Sequence, residues 1–144
     1  MKLIAATILL FSFAYPPKPQ ECKCRVAESW TTTHKGYFES TLVEPATQYK
    51  RLAGIVYLDD TPVEDVLVEL FPYTKQPSAE RKRLTACITG ADGRYCFAGI
   101  AKGRYEIRVS KDGGFEITYV NVYLDPNNRK ASDAELGISI KVGK

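Results

Sequence analysis

The sequence predicts an all-β fold, a sandwich or a barrel. Three observations carry that expectation. From Tyr49 onward, short runs alternate apolar and polar residues, as in the stretch from Asp65 to Phe71, the period of a half-buried strand. Gly, Pro and Asp bound those runs, and these residues make tight turns. No segment carries a convincing helical period; Arg129 to Glu135 has room for a single turn.

Seven strands follow from the pattern. The first is about Arg51 to Leu58, ended by Asp59-Asp60-Thr61-Pro62. The second, Asp65 to Phe71, places Val66, Val68 and Leu70 on one face and Leu67 and Glu69 on the other. After a polar loop, Arg83 to Thr89 forms the third and Arg94 to Ala98 the fourth. Between them Ala91-Asp92 suits a type I turn with Gly93 as its left-handed residue, which closes the two strands as a bulged hairpin. The fifth, Arg104 to Ser110, turns Tyr105, Ile107 and Val109 inward. The sixth runs from Phe115 to Leu124. The last, Leu136 to Val142, turns Ile138, Ile140 and Val142 inward. Upstream the pattern is weaker, although Gly36 to Val43 has the composition of a strand.

The 144-residue chain divides into three parts. Residues 1–14 read as a secretory signal: Lys2 is the charged end, Leu3 to Phe13 the apolar run, and Ser12-Phe13-Ala14 a small-x-small cleavage pattern. The run falls short of the ~20 residues that span a bilayer, so no membrane span remains after cleavage. Residues 15–48 form an N-terminal extension that opens with three prolines, and residues 49–144 form the β domain. The placement expected is therefore secreted or periplasmic. The formal charge of +3 is no footprint for nucleic acid. Arg81-Lys82-Arg83 is too short a cluster for an anion site and reads as a solvated loop.

Three stretches, "GIVYLDDTPVEDVLVEL", "TGADGRYCFAGIAKGRYEIRV" and "LGISIKVG", resemble carboxypeptidase regulatory-like domains of the transthyretin-like (prealbumin-like) group. The likeness rests on Gly54, the Val-rich second strand, Asp92-Gly93-Arg94-Tyr95 and Gly103-Arg104-Tyr105, and it covers Arg51 to Val142. It implies a seven-stranded Greek-key β-sandwich serving as an accessory domain of secreted or envelope proteins. The activities of its relatives do not carry over. Hydroxyisourate hydrolases need several histidines and a Tyr-Arg-Gly-Ser tail, and intradiol dioxygenases need two iron-binding histidines; this chain has only His34 and ends in Lys141-Val142-Gly143-Lys144. The Lys-to-Asn isopeptide bond of adhesin B-repeats could use Lys50, but Leu136 to Val142 holds no Asn.

The residues themselves offer little chemistry. His34 lies in a Thr-rich stretch with no nucleophile elbow, so a small hydrolase is only an alternative. Asp59, Asp60 and Asp92 lack the clustered oxygens that calcium needs, and they suit hydrogen bonds within their own turns. Trp30, Tyr37 and Phe38, set among hydroxyl residues, either stack on sugars or cover the open face of the sandwich. The expected role is a non-enzymatic interaction module without a cofactor, whose partner is a protein or a glycan of the cell envelope or extracellular space. A carbohydrate-binding domain using those aromatics is the alternative.

Four cysteines in an exported chain suggest disulfides rather than metal, and Cys22-Lys23-Cys24 with Cys87 and Cys96 fits no zinc-finger spacing. Cys87 and Cys96 flank one turn, so joining them closes a short loop at low entropic cost. A two-residue turn makes them face each other, whereas a bulge at Gly93 points them to opposite faces. The rival pairing joins Cys22 or Cys24 to the same region. Cys87–Cys96 is the expectation. Export is checked by N-terminal sequencing of the secreted form, which is expected to begin near Tyr15; recovery of cytoplasmic protein that retains Met1 would contradict it.

Overall fold

The computed structural model describes residues 24–26, 40–43, 48–75 and 81–143. These form eleven strands: β1 (Arg25–Val26), β2 (Ser40–Val43), β3 (Gln48–Tyr49), β4 (Leu52–Leu58), β5 (Thr61–Pro62), β6 (Leu67–Pro72), β7 (Thr85–Ile88), β8 (Arg94–Phe97), β9 (Gly103–Ser110), β10 (Ile117–Leu124) and β11 (Ile138–Ser139). All seven anticipated strands are present, β2 falls within the stretch Gly36 to Val43 whose composition suggested a strand, and β1, β3 and β5 add to them. No helix occurs among the described residues, and Arg129-Lys130 is a turn.

The strands form two sheets. The larger runs β1-β7-β6-β9-β10-β2, with β3 also paired to β10. The smaller is organised on β4, whose first half pairs β8 and whose second half pairs β5 and β11. Between the sheets lies one apolar core. Val68 and Leu70 of β6, Ile107 and Val109 of β9, and Val120 and Val122 of β10 meet Leu52 and Val56 of β4, Tyr95 and Phe97 of β8 and Ile138. The period-2 alternation built these faces as expected. One inward assignment fails. Ile138 and Ile140 are buried, but Val142 is 58% exposed, because β11 stops at Ser139 and only an isolated bridge ties Val142 to Phe115.

The turn after β7 has the expected local geometry and a different global role. The Gly93 amide donates to the Gly90 carbonyl at 2.9 Å, and Gly93 has φ of 69°. Yet β7 and β8 do not pair. Residue Thr89 still bonds Val66 in the larger sheet, while the Gly93 carbonyl accepts from Val56 in the smaller one. The turn is a corner that passes the chain between sheets, not a hairpin. Local turn chemistry cannot distinguish the two, because both need the same left-handed residue.

Asp59 and Asp60 both have positive φ, 47° and 66°, in the two-residue loop where Leu58 faces Thr61. This is the loop geometry whose twist matches a hairpin.

A second close approach locks the smaller sheet. The Leu136 amide donates to Ala53 at 2.9 Å, and the Leu136 carbonyl accepts from the Tyr95 hydroxyl at 2.7 Å. The chain here lies so near Gly54 that a Cβ at that position would overlap the Leu136 carbonyl. Tyr95 is 1% exposed, and burial raises the pKa of its hydroxyl, so it stays a protonated donor. Gly54→Ala is therefore expected to destabilise the domain by about 2–3 kcal/mol, since backbone must move to admit the methyl. Gly93→Val is expected to cost more than about 1 kcal/mol, from left-handed strain and from contact with Val56 and Pro62. Urea midpoints of the two variants check both; unchanged midpoints would remove the assignment of these glycines.

Candidate interaction surface

The side of the larger sheet that faces away from the core is not a plain polar surface. Alternation turns Glu69 and Phe71 of β6, Arg104, Glu106 and Arg108 of β9, and Tyr119, Asn121 and Tyr123 of β10 to this side. Register sets them in rows. Glu69 faces Arg108, which faces Tyr119; Phe71 faces Glu106, which faces Asn121; Arg104 faces Tyr123. At the β7 end, Leu67, Ala86 and Ile88 make a second, small apolar cluster.

Two buried carboxylates organise the rows. Glu69 is 3% exposed and accepts from Arg83 at 3.1 Å and from Arg108 at 3.0 Å. Glu106 accepts from Arg81 at 2.7 Å. A carboxylate at this depth is tolerable only when charged donors surround it. The same arginines cover the aromatics. The Arg81 and Arg108 guanidiniums stand 5.4 and 5.3 Å from the Phe71 ring, and Arg104 stands 4.1 Å from the Tyr73 ring. Each such contact contributes ~0.5–1 kcal/mol near a surface. Four arginines against two glutamates leave a local surplus of positive charge. The expectation that Arg81-Lys82-Arg83 is a solvated loop is overturned: only Lys82 is exposed, and the Arg81 and Arg83 side chains are 14% and 18% exposed in their ion pairs. The alternation of Arg104, Glu106 and Arg108 was the available signal, but pairing it with Glu69 requires the register of β6 and β9.

The other candidates have varied positions. Trp30, Tyr37, Phe38, His34 and Cys22 lie outside the described residues. Asp92 accepts from the Arg94 amide at 3.1 Å, serving its own turn as expected. The Lys50 ammonium meets the Asp133 carboxylate at 3.2 Å, with Asp133 82% exposed, an ion pair open to water. Among the described residues, no group of three or more His, Cys, Asp and Glu is placed to hold a metal ion.

The expected Cys87–Cys96 bond is not formed. Cys87 is a free, buried thiol, whereas Cys96 is held in a disulfide. The corner at Gly90–Gly93 explains the error. Cys87 points into the core beside Val68, whereas alternation turns Cys96 away from Tyr95 and Phe97 on the other sheet. Cys24, also free, packs against the core and donates from Sγ to the Cys96 carbonyl at 3.3 Å. A hydrogen bond from Cys87, opposed by burial, lowers the Cys24 pKa to about 7, and the Cys87 pKa is raised by the same bond and by burial.

These features define an all-β sandwich: two sheets, turns closed by their own residues, and a patterned outer face. The chain belongs to the SdrD B-like domain family, which matches residues 50–141. That span nearly coincides with the stretch resembling carboxypeptidase regulatory-like domains, but the family matched is a different one. No curated protein matches the chain. Among the described residues, no helix is long and apolar enough to cross a membrane.

Replacing Glu69 with Gln leaves Arg83 and Arg108 facing a neutral group at a nearly dry position. A loss of about 1–3 kcal/mol is expected by chemical denaturation. Asp133→Ala, at the exposed ion pair, is expected to change stability by less than about 0.5 kcal/mol. Equal effects would contradict the organising role of Glu69.

Proposed function

We propose that this chain is an exported interaction module that docks a protein partner on the outer face of its larger sheet, around Tyr73, Arg104, Tyr119 and Tyr123. The observation that carries this reading is the exposed Arg104 stacked over Tyr73 and facing Tyr123 across β9 and β10. Arginine and tyrosine supply most interface anchors, because each offers a broad apolar surface with a polar edge. The surplus of arginine favours a partner that presents carboxylates, which steer its approach. In this reading residues 1–14 direct export to the periplasm or the cell exterior, 15–48 are an extension, and 49–144 are the docking domain. Kinship with the Greek-key, transthyretin-like sandwiches belongs to the same proposal, supported by two residues of the resembling motifs: Gly54, at a close approach of β4 to the Leu136 backbone, and Gly93, in a tight turn.

Crosslinking capture from the native envelope or secreted fraction tests the reading. Wild-type protein is expected to retain a partner that Arg104→Ala combined with Tyr123→Ala retains at least ~10-fold less, as for two interface anchors. Equal capture by both proteins would overturn the surface. Binding on a glycan array that disappears when Trp30, Tyr37 and Phe38 are replaced by Ala would put a sugar in the partner's place.

A further inference from the structure

The two free thiols are the only ones among the described residues, and they are neighbours. β1 pairs β7 with Val26 opposite Cys87, so Cys24 sits diagonally across from Cys87 on the same face of the sheet. The Cys24 thiol donates to the Cys96 carbonyl at 3.3 Å and packs against the core cluster that holds Cys87. The two positions differ in access. Cys24 is half-buried at the end of the edge strand β1, whereas Cys87 is 2% exposed inside the core. One thiol can meet an outside reagent, and the other can meet only the first. An attacking thiol with a resolving thiol behind it has this arrangement.

We propose that Cys24 and Cys87 form a dithiol site that takes small disulfide oxidants and closes to an internal Cys24–Cys87 bond. The Cys24 thiolate attacks one sulfur of an external disulfide RSSR. A mixed disulfide Cys24–SR forms and the first RS⁻ leaves, taking a proton as RSH. Cys87 then loses its proton to solvent and attacks Cys24 Sγ, forming the Cys24–Cys87 bond and expelling the second RS⁻, which is protonated in turn. Two protein thiols are oxidised and one external disulfide is reduced to two thiols. The sulfurs must close to about 2.05 Å, the usual disulfide length. The product ties the edge strand β1 covalently to β7. Cys24 has thiolate character near neutral pH, which fits it for the first step. The Cys96 disulfide is a bystander, held in a separate bond.

The test uses the full chain and oxidised glutathione, with alkylation of remaining thiols and peptide mapping under non-reducing conditions. In the wild type, both alkylatable thiols at Cys24 and Cys87 are expected to disappear, with a peptide joining Cys24 to Cys87 and no retained glutathione. Cys87→Ser is expected to stop at a stable glutathione adduct on Cys24. Cys24→Ser is expected to leave Cys87 unmodified while the protein stays folded, which the near-ultraviolet dichroism of each variant verifies. The wild-type map decides the matter even if a variant fails to fold. A wild-type chain that retains glutathione on Cys24, that forms Cys24–Cys96, or that keeps both thiols alkylatable would overturn the proposal.

Discussion

The approach of the Leu136 backbone to Gly54 is the constraint on which the smaller sheet depends. That sheet has one long strand, β4, and three short neighbours, none of which could hold its place by ladder bonds alone. The contact works because position 54 has no side chain and because Tyr95, opposite it, reaches the Leu136 carbonyl from below. Two otherwise unrelated segments, the strand after the Gly93 corner and the chain ahead of β11, are thereby fixed to the same point of β4. With them fixed, Tyr95, Phe97 and Ile138 close the core over the larger sheet. A side chain at residue 54 would separate all three at once.

On the opposite side of the larger sheet, the balance is electrostatic rather than steric. Glu69 and Glu106 would be costly in a nearly dry environment without their arginines, and the arginines would lack order without the carboxylates and rings that hold them. The result is a face whose guanidiniums are oriented in advance. A partner that binds there meets side chains that have already lost much of their freedom, so the ordering cost of association is lower than for an ordinary charged surface.

Much of the architecture was legible because alternation and turn chemistry are local. The seven principal strands, the left-handed Gly93 and the self-serving Asp92 all follow from residues within a few positions of one another. What was not legible depends on which strand lies beside which. The Gly90–Gly93 turn has the same local geometry in a hairpin and in a corner between sheets, so reading it as a hairpin led directly to the wrong cysteine pair. The Arg81 and Arg83 partners were invisible for the same reason, since Glu69 and Glu106 are adjacent to them only in the folded sheet. The short parallel strands β2, β3 and β11 escaped notice or precise limits because two or four residues carry too little pattern.

The parallel pairing of β11 with β4 has a mechanical consequence. Ile138 and Ser139 run alongside Val56 and Tyr57 in the same direction, flanked by the bonds from Leu136 to Ala53 and from Ile140 to Tyr57. Tension applied to the chain ahead of β4 and behind β11 drags the two strands past each other lengthwise. The bonds then share the load and must yield together, with the Tyr95 hydroxyl as an additional crosspiece. An antiparallel hairpin such as β4–β5, pulled at its open end, peels one bond at a time. The fold therefore places its shear-resistant contact where a force carried along the chain would act.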